Sequence, residues 1–594
     1  MTRAKTAHQA DELDAVRHSL AHLLAAAVLD LYPGTKNTIG PAIEHGFYYD
    51  FEFPSPISET DLPAIEAKMR GILPSWKSFE RQGVTPAEAQ KRFAGNPYKL
   101  ELINEFSGEG KTLSLYTSGP PAGGFTDLCR GGHVDDIQTI DTNGFKLDRI
   151  AGAYWRGKET NTMLTRIYGL AFASKADLDT YLALREEAKK RDHREIGKRQ
   201  KLFTFNELVG SGLPLWLPNG TIIKDEIERF AKETEVKAGY LRVSTPHIAK
   251  AELFKKSGHL PHYADLMFPP MKLDDGSYYL KAMNCPIHHL IYQSEPRSYR
   301  DLPLRLAEYG TVYRNELSGT LAGLLRVRML SMNDAHIYCR ADQIAEEFRA
   351  VLSMTLDYFT RFGLTDYSFR LSLWDPKNKE KYIDEPENWG LAEQVLRGVL
   401  TKLNVDFVEA ENEAAFYGPK VDIQYRSIGG REETMSTIQL DFAAKGRFGL
   451  VYHDASGREN SEVFVIHRAP LSTHERFIAY LIEHYAGAFP AWLSPVQARI
   501  LAVGEKYAAY ATEVGRKLRE AGVRIEVDDS NETLGKRIRA SELAKIPYTL
   551  VVGEKETAAG TVNVRTRGKK ETATVPLMKF VADITAEIRE RRGA

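Results

Sequence analysis

The chain has 594 residues, a length that suggests roughly four domains. Of these residues, 43% are hydrophobic and 27% charged. Both values are near the globular averages and exclude a fibrous or largely disordered protein. Its 79 Lys and Arg residues are balanced by 80 Asp and Glu residues, giving a net charge of −1, so a nucleic-acid partner requires a locally basic surface. Three cysteines, Cys129, Cys285 and Cys339, are too few to cross-link such a chain, which predicts a reducing compartment.

The first region, residues 1–172, mixes helical and strand patterns and contains the apolar run Leu20 to Leu29. This run is about half as long as a membrane span. It contains His22 and follows acidic residues at positions 11, 12 and 14, which a secretory signal would avoid. We therefore predict an amphipathic helix in a soluble, cytoplasmic protein with no membrane partner.

Two pairs of metal-capable side chains occur in the same region. His18 and His22 are i, i+4 neighbours on the predicted helix, and Cys129 and His133 form a second pair in the segment DLCRGGH (127–133). By residue type alone, the four are equally compatible with a zinc site and with unrelated surface histidines.

A charged segment, Ser174 to Gln200, separates this region from the next. Ser174 and Asp177 resemble a capping box that opens a helix. The second half of the predicted helix is charged nearly all round, a pattern typical of a helix that bridges domains. We therefore predict a linker helix at 173–200.

Residues 201–490 contain the densest polar clusters and form the predicted catalytic body. The segment 307–339 places Arg314, Glu316 and Arg326 in a strand–loop–strand pattern. Alternation along a strand predicts that Arg314 and Glu316 point the same way, where they could hold the phosphate and the exocyclic amine of a nucleotide. The alternative is a surface ion pair, the commoner fate of an isolated Arg-x-Glu. The usual glycine-rich phosphate loops do not occur in the sequence.

After Pro495, strand-like and helical segments alternate to the end of the chain. This pattern predicts a small α/β domain with a mainly parallel sheet. The segment VRTRGKK (564–570) and the neighbourhood of Lys536 and Arg537 make the domain locally basic. A basic run is more often only a solvated surface than a binding site.

Two central segments resemble signature motifs of the class II aminoacyl-tRNA synthetases. YRNELSG (313–319) with LLRVR (324–328) resembles the second motif, and STHERF (472–477) resembles the third. The resemblance narrows to the threonyl-tRNA synthetase family and extends from about His18 to the C-terminus. Six further segments follow that family's order: AMNCP (282–286), SYRDLPLRLAEYG (298–310), NDAHIYC (333–339), FYGPKVD (416–422), STIQLDF (436–442) and VIHRA (465–469).

The resemblance implies a multidomain fold of α+β and α/β type. An α+β editing domain would occupy 1–172, an antiparallel-sheet class II catalytic domain 201–490, and an α/β anticodon-binding domain 491–594. The implied activity is that of a threonine–tRNA ligase, which forms threonyl-adenylate from threonine and ATP, charges tRNA(Thr) and hydrolyses mischarged seryl-tRNA(Thr). The resemblance also implies Mg²⁺ with ATP, one Zn²⁺ per subunit, and a homodimer formed through 226–246.

The resemblance assigns four residues to ATP. Arg314 would hold the α-phosphate and the amino-acid carboxylate, and Glu316 would accept from the adenine amine. Arg326 and Arg476 would hold the γ-phosphate. Arg314 and Arg476 are the implied catalytic pair, because cations stabilise the charge that develops when a carboxylate attacks the α-phosphate.

The implied recognition of threonine depends on a metal. Threonine and valine are nearly isosteric, and an apolar pocket separates such pairs poorly. A zinc ion with three protein ligands keeps open positions for the amine and hydroxyl of threonine. The implied ligands are Cys285, His336 and His467. Asp334 would accept the hydroxyl proton, and the other implied pocket residues are Met283, Tyr417 and Gln439.

Serine also carries a hydroxyl group, and the missing methyl group is worth only about 1–3 kcal/mol, so a second, hydrolytic site is expected. The resemblance assigns a metal-free editing site to His18, His22, Cys129 and His133, assisted by Asp127 and Lys99. Anticodon bases can be read by hydrogen bonds and by stacking on arginine. The implied anticodon residues are Asn531, Glu556 and Arg565.

Several features depart from the family pattern. Only 17 residues precede His18, which predicts that the small ubiquitin-like domain of many bacterial members is missing. Leu330 stands where an aromatic residue commonly covers adenine, and Ser472 replaces the glycine that opens the third motif. Met332 stands where glutamine usually lies near the substrate carboxylate. Because methionine cannot donate a hydrogen bond, we predict weaker ATP or threonine binding than in a typical member.

Two other functions are compatible with parts of the sequence. One is another class II ligase, such as a prolyl or seryl enzyme, and the presence of Cys285, His336 and His467 together argues against it. The other is a non-catalytic RNA-binding regulator derived from a synthetase. Retention of Arg314 and Arg476 argues against the regulator.

Overall fold

A computed structural model describes the protein at residues 2–120, 124–427, 430 and 432–592. The chain divides into two compact units, Met1–Arg185 and Glu186–Ala594. Among the described residues, no helix combines the length and the apolar content that crossing a membrane requires.

In the described residues of the N-terminal unit, two antiparallel sheets pack with four helices, and a further helix begins at Lys175, near the end of the unit. One sheet has the order β1–β3–β8–β7 with β2 on β3, and the other has the order β4–β5–β6. The element bounds are α1 (Thr2–Leu31), β1 (Lys36–Asn37), β2 (Ala42–Ile43), β3 (Gly46–Glu52), α2 (Leu62–Ile72), β4 (Glu80–Val84), α3 (Pro86–Arg92), α4 (Pro97–Gly108), β5 (Leu113–Ser118), β6 (Phe125–Leu128), β7 (Phe145–Tyr154) and β8 (Met163–Ala171).

Helix α1 contains the apolar run for which an amphipathic helix was predicted. The helix is present, but of residues 20–29 only Ala26 and Leu29 are not buried. The amphipathic pattern is therefore wrong for this stretch. It packs against α2 and β3 in the core of the unit, so that even His22 is enclosed.

The predicted linker is two helices, α5 (Lys175–Lys190) and α6 (His193–Arg199). The Ser174 hydroxyl accepts from the backbone N–H of Asp177 at 3.2 Å, which confirms the predicted cap. A single continuous helix is wrong, because Asp192 leaves helical geometry and its side chain caps α6 instead. The division between the two units falls inside α5, so the domain boundaries around 173–200 stay predictions.

The central part of the larger unit is built around an eight-stranded sheet. Its elements are β9 (Phe203–Thr204), β10 (Leu215–Trp216), α7 (Pro218–Lys237), β11 (Leu241–Arg242), β12 (Ile248–Lys250), α8 (Ala251–Lys256), α9 (His259–Tyr263), β13 (Met271–Leu273), β14 (Gly276–Leu280), α10 (Cys285–Gln293), β15 (Leu304–Tyr313), β16 (Met329–Cys339), α11 (Ile344–Arg361), β17 (Tyr367–Ser372), α12 (Pro386–Lys402), β18 (Phe407–Ala410), β19 (Lys420–Arg426), β20 (Glu432–Asp441), α13 (Ala444–Phe448), β21 (Tyr452–His453), β22 (Glu459–Asn460), β23 (Phe464–Ala469) and α14 (His474–His484).

The strand order in this sheet is β11–β15–β16–β23–β20–β19–β17–β18. All neighbours are antiparallel except the two outermost pairs, which confirms the predicted antiparallel core. Successive side chains of a strand point to opposite faces. On β16, Ala335 and Ile337 join the apolar core that includes residues of α11 and α12, whereas Asp334 and His336 line a cavity on the other face.

The C-terminal part contains a five-stranded sheet and four helices. Its elements are β24 (Ala498–Ala502), α15 (Ala508–Glu520), β25 (Ile525–Asp528), α16 (Leu534–Leu543), β26 (Tyr548–Val552), α17 (Glu554–Ala559), β27 (Thr561–Thr566), β28 (Thr572–Pro576) and α18 (Leu577–Glu590). The order is β25–β24–β26–β27–β28, with two parallel and two antiparallel pairings. The α/β class is confirmed, but the sheet is mixed and not mainly parallel.

Candidate functional site

Three soft-donor side chains from distant parts of the chain meet beside the large sheet. His336 on β16 and His467 on β23 are directly paired across neighbouring strands, and Cys285 is the first residue of α10. His336 Nε2 and His467 Nδ1 lie 3.1 Å apart. The three potential ligand atoms all lie within 4.8 Å of one another, and the three residues are buried. The structure therefore brings the predicted zinc ligands together.

The outer nitrogen of each histidine also has a partner. His336 Nδ1 lies 2.8 Å from His288 Nδ1, and His467 Nε2 lies 3.1 Å from a carboxylate oxygen of Asp441. His288 in turn lies 3.2 Å from Glu308. Partners of this kind fix the tautomer and ring orientation of metal-binding histidines. The inner nitrogens, His336 Nε2 and His467 Nδ1, face each other, and one sulfur with two nitrogens is a donor set that suits zinc with open positions.

A cavity of about 400 Å³ opens beside this cluster. The predicted site residues on its wall are Met283, Cys285, Arg314, Asp334, His336, Tyr417, Gln439, His467 and Arg476. Met332 and Ser472, which depart from the family pattern, also line it. We call Cys285, His336 and His467 the metal-type cluster. This cluster and two arginines on the wall of one cavity suit a substrate that carries phosphate at one end and an amine and hydroxyl at the other.

Arg314 has the clearest sign of a missing partner. Its Nε atom is buried and has no hydrogen-bond partner among the described residues. Burial, and then the nearby charge of Arg476, lower the pKa of the Arg314 guanidinium. Because two cations share the wall of one cavity, an anion placed between them would be strongly favoured.

Arg476 is placed by the start of α14. Thr473 caps this helix, and its hydroxyl accepts from the backbone N–H of Arg476 at 3.3 Å. The Arg476 Nε donates to the carbonyl of Leu325 at 3.2 Å. Ser472, which precedes the cap residue Thr473, has a backbone φ of +52°. That left-handed conformation is most easily adopted by glycine, which gives a physical reason for the family glycine at this position.

Glu316 and Arg326 lie outside the cavity wall. Strand β15 ends at Tyr313, so strand alternation does not set the relative directions of Arg314 and Glu316. Glu316 accepts from Arg326 Nε at 2.9 Å, and neither residue is among the described residues that line the cavity. The ion pair of Glu316 is thus with Arg326 and not with Arg314, the partner in the alternative considered above.

The part of the cavity beside Cys285, His336 and His467 is fixed by side-chain contacts. The Tyr417 hydroxyl donates to Gln439 Oε1, and the Tyr417 ring stacks on His467 with centroids 5.3 Å apart. Gln439 is paired with His467 across neighbouring strands. Asp334 accepts from the amide of Asn284 at 2.9 Å. These contacts hold a carboxylate and an amide next to the metal-type cluster.

Leu330 and Met332 have different environments. Leu330 packs with Val312 and Val327 in a small buried cluster and is not among the described residues that line the cavity. The position where an aromatic residue commonly covers adenine is thus buried away from this cavity. Met332 lines the cavity two residues before Asp334, where a thioether cannot donate to a carboxylate.

The N-terminal unit contains a second and larger cavity of about 710 Å³. His18, His22, Cys129 and His133 all lie on its wall, with possible ligand atoms within 4.8 Å of one another. Cys129 Sγ lies 3.5 Å from His18 Nε2 and 3.4 Å from His133 Nε2. The four residues therefore form one cluster, which excludes the alternative of unrelated surface histidines.

The electrostatics of this cluster favour neutral side chains. Burial raises the pKa of Cys129 to about 11 and lowers that of His133 to about 2. Burial also lowers the pKa of His18 and of His22. At neutral pH the cluster consequently offers uncharged imidazoles and a thiol as hydrogen-bonding groups.

A buried ion pair lies on the wall of the same cavity. Lys99 Nζ is 2.6 Å from Asp127, and each side chain is 2% exposed. Lys99 also donates to the Tyr49 hydroxyl at 3.3 Å, and that hydroxyl donates to Asp127. A buried charge pair needs such additional hydrogen bonds to offset desolvation. The two predicted assistants are thus placed together.

The three predicted anticodon residues are not placed together. Asn531 and Glu556 follow the carboxyl ends of the parallel strands β25 and β26. Arg565 on β27 pairs with Thr549, the second residue of β26, towards the opposite end of that strand. Part of the predicted basic surface is also structural, because Arg537 and Arg567 donate to backbone carbonyls.

Sequence reasoning did not select four residues that shape the catalytic cavity, namely Asn284, His288, Lys420 and Asp441. Lys420 lines the cavity and lies 2.7 Å from Asp422. Three of the four lie within quoted family segments and could have been chosen from them. His288 lies outside those segments, and its contact with His336, 48 positions away, is visible only in the fold.

Three family models match the chain. They are described as "tRNA synthetase class II core domain (G, H, P, S and T)" for residues 271–485, "Anticodon binding domain" for 497–587, and "Threonyl and Alanyl tRNA synthetase second additional domain" for 113–168. The class II core and the anticodon-binding domain that the sequence resemblance implied are thus each matched by a family model.

Whole-chain relatives and solved structures agree with these matches. The chain is 49% identical to a threonine–tRNA ligase of Geobacillus kaustophilus over 585 residues, 98% of this chain and 88% of that protein. It is 49% identical to one of Listeria monocytogenes over 581 residues, 97% of this chain and 90% of that protein. The structure of the RNA binding domain of threonyl-tRNA synthetase from Cryptosporidium parvum Iowa II has 36% identity and a TM-score of 0.63, covering 66% of this chain and 98% of that one.

Proposed function

The chain belongs to the threonine–tRNA ligases, which are class II aminoacyl-tRNA synthetases, and from this membership we propose which residues carry its reactions. It activates threonine with ATP and transfers the threonyl group to tRNA, and its second additional domain supports editing of mischarged tRNA. The prolyl or seryl ligase and the non-catalytic regulator are set aside because relatives of this one family cover nearly the whole chain.

The convergence of Cys285, His336 and His467 beside the catalytic cavity is the observation that carries the proposal. The donor set and its outer partners fit Zn²⁺. When bound by these residues, Zn²⁺ would supply open coordination positions that the amine and hydroxyl of threonine can fill and that valine, without a hydroxyl, cannot.

The remaining residues position the reactants. Threonine's carboxylate attacks the α-phosphorus of ATP, the bond to pyrophosphate breaks, and pyrophosphate leaves. Arg314 and Arg476 stabilise the negative charge that develops in this step, and Mg²⁺ accompanies ATP. Asp334, held by Asn284, accepts a hydrogen bond from the threonine hydroxyl. For Glu316 to reach adenine and Arg326 the γ-phosphate, their mutual ion pair must open when ATP binds.

For editing, we assign hydrolysis of the seryl ester to the cavity of the N-terminal unit. His18, His22, Cys129 and His133 would hold the end of the mischarged tRNA and the attacking water through hydrogen bonds. The Lys99–Asp127 pair would keep the local charge balanced. The discrimination against serine is thereby assigned to a site other than the one that excludes valine.

The proposal also covers partners and location. The segment 226–246 supplies the proposed homodimer contact, and it presents Val236 and Leu241, which are 61% and 56% exposed. Apolar side chains with this exposure suit a surface that is covered by a second copy. Asn531, Glu556 and Arg565 are the proposed anticodon residues, although Arg565 would contact a different base or the backbone. We place the protein in the cytoplasm.

Amino-acid-dependent exchange of pyrophosphate into ATP tests the catalytic assignment. We expect exchange with threonine and serine, and a rate with valine about 10⁴-fold lower, because a site built around a hydroxyl rejects an analogue that lacks it. His336→Ala should abolish exchange with threonine. Cys339→Ala, at the end of the same strand but in the apolar core, is the matched control and should retain it.

Equal exchange with valine in the native enzyme, or full activity in His336→Ala, would contradict the assignment. Loss of activity in both variants, with a lowered melting temperature, would show that the strand is merely destabilised. The Cys339 control therefore separates recognition of threonine from the integrity of β16.

A further inference from the structure

His193 connects three elements of the larger unit without having any role in the reactions described above. It is the first residue of α6, and its side chain is 4% exposed. Its Nδ1 lies 2.7 Å from a carboxylate oxygen of Glu483 on α14. Its Nε2 accepts from the backbone N–H of Leu324 at 3.1 Å. A neutral imidazole with the proton on Nδ1 satisfies both contacts at once.

Leu324 belongs to the loop between β15 and β16, which begins with Arg314. The next residue, Leu325, offers its carbonyl to Arg476 Nε at 3.2 Å. Arg476 and Glu483 are on the same helix, α14. One histidine therefore ties the loop to α14 at Glu483, and the loop in turn holds the arginine at the opposite end of that helix.

The loop is also fitted closely to the imidazole. Gly323 has a φ of +56°, and a Cβ atom at this position would lie 2.3 Å from His193 Nε2. Such a distance is far below van der Waals contact, so any other residue would push the loop and the imidazole apart. The contact between His193 and the loop thus depends on glycine at 323.

We propose that His193 is a positioning residue for ATP: it fixes the loop so that the Leu325 carbonyl holds the Arg476 guanidinium in the catalytic cavity. A carbonyl contact at Nε restricts the rotamers of the arginine, and a pre-positioned guanidinium loses less freedom when it binds phosphate. This role rests on the proposed phosphate contact of Arg476. Threonine, which contacts the cavity near His336 and Asp334, should not sense the change.

Two substitutions test the contacts of the two imidazole nitrogens separately. In His193→Asn the side-chain amide can still donate to Glu483 but is too short to accept from Leu324. In His193→Gln the amide oxygen can reach the position of Nε2 and accept from Leu324, while the donor to Glu483 is lost. A purely structural role for His193 predicts similar effects of both substitutions, whereas the proposal predicts different ones.

The measurement is pyrophosphate exchange by the full-length enzyme, with the KM for ATP and the KM for threonine determined separately. We expect His193→Asn to raise the KM for ATP about five- to tenfold, because the buried N–H of Leu324 is left without its acceptor. The KM for threonine should be unchanged. His193→Gln and Glu483→Gln should stay within about twofold of the native enzyme, since both keep the acceptor for Leu324.

A glycine pair provides the same test without changing His193. Gly323→Ala places a methyl group against the imidazole and should raise the KM for ATP. Gly319→Ala, in the same loop but with open space around the added methyl group, should not. This pair keeps the proposal testable if His193→Asn does not fold.

The outcomes distinguish this proposal from the function on which it rests. If Arg476→Ala leaves the KM for ATP unchanged, the phosphate role of Arg476 is wrong. If Arg476→Ala raises it, and His193→Asn and Gly323→Ala do not, the positioning role of His193 is overturned. In the Arg476→Ala background we expect His193→Asn to have no further effect on the KM for ATP; an additive effect would also overturn the proposal.

Discussion

The Cys129 thiol is held between two imidazoles in the cavity of the N-terminal unit. Burial raises its pKa to about 11, which is the opposite of what a nucleophilic cysteine requires. At neutral pH the thiol is therefore protonated and can donate a hydrogen bond. This agrees with an editing site in which water, and not the cysteine, attacks the ester.

The pH dependence of alkylation tests this protonation state. Because the pKa is raised, the thiolate fraction is small at pH 8 and increases about tenfold per pH unit until the pH approaches 11. We expect Cys129 to react with iodoacetamide about a hundredfold more slowly at pH 8 than an ordinary cysteine of pKa about 8.5. Peptide mapping separates it from the buried Cys285 and Cys339. A rate that levels off near pH 8.5 would contradict the raised pKa.

Met332 is the residue of the catalytic cavity whose chemistry fits the substrate least. It lines the cavity near Asp334 but has no hydrogen-bond donor to offer a carboxylate. Met332→Gln should lower the KM for threonine in pyrophosphate exchange several-fold, by about one hydrogen bond to a charged group. Met332→Leu is the volume-matched control and should leave the KM unchanged. An unchanged KM in Met332→Gln would show that this position does not contact the carboxylate.

Residue chemistry could be predicted where a side chain acts alone and not where it depends on a partner. The donors Cys285 and His467 were identified from family segments, and the fold brings them together. The contact of Glu316 with Arg326 was missed because it depends on the end of β15 at Tyr313. The contact of His193 with Leu324 joins positions 131 residues apart, and no local pattern in the sequence signals it.

At the scale of elements, strand register places the residues proposed to recognise threonine. Gln439, His467 and His336 lie side by side on β20, β23 and β16. A one-residue shift of any of these strands would turn its side chain to the opposite face of the sheet. The register of the antiparallel sheet therefore sets the distances between these side chains, and the large apolar core on the other face of the sheet stabilises that register.

Helix α14 contributes through its first turn. Thr473→Ala removes the cap and should reduce stability by about 1 kcal/mol, and it should also raise the KM for ATP because Arg476 lies in the same turn. Thr533→Ala removes the equivalent cap of α16, at a similar cost in stability but without a change in the KM. Thermal unfolding and pyrophosphate exchange measure the two effects. A similar KM change in both variants would contradict a local role for the α14 cap.

The type of most C-terminal elements was predictable, because alternating strands and helices have clear local patterns. Strand β27 (Thr561–Thr566) is one of these strand-like segments after Pro495. Strand β28 was missed, because its segment is short and mostly exposed at the sheet edge. Direction was also missed: a helix between two strands favours a parallel pair, but only the short α17 precedes β27, which turns back along β26.

At the scale of the whole molecule, the proposed function divides the selection of threonine between two cavities. The cavity of the larger unit, with its metal-type cluster, is suited to reject amino acids that lack a hydroxyl. It cannot firmly reject serine, because one methyl group is worth only about 1–3 kcal/mol. In the proposed function, the cavity of the N-terminal unit would supply the second selection by hydrolysis. Each cavity is complete within its own unit among the described residues.

The presence of a metal in this selection can be measured directly. Zinc content is determined by elemental analysis of the purified, zinc-reconstituted enzyme, with His336→Ala and Cys339→Ala analysed in parallel after gel filtration. We predict one zinc ion per chain in the native enzyme and in Cys339→Ala, and close to none in His336→Ala. A native enzyme without zinc, or a His336→Ala variant that retains a full equivalent, would contradict the assignment of Cys285, His336 and His467 as the site that recognises threonine.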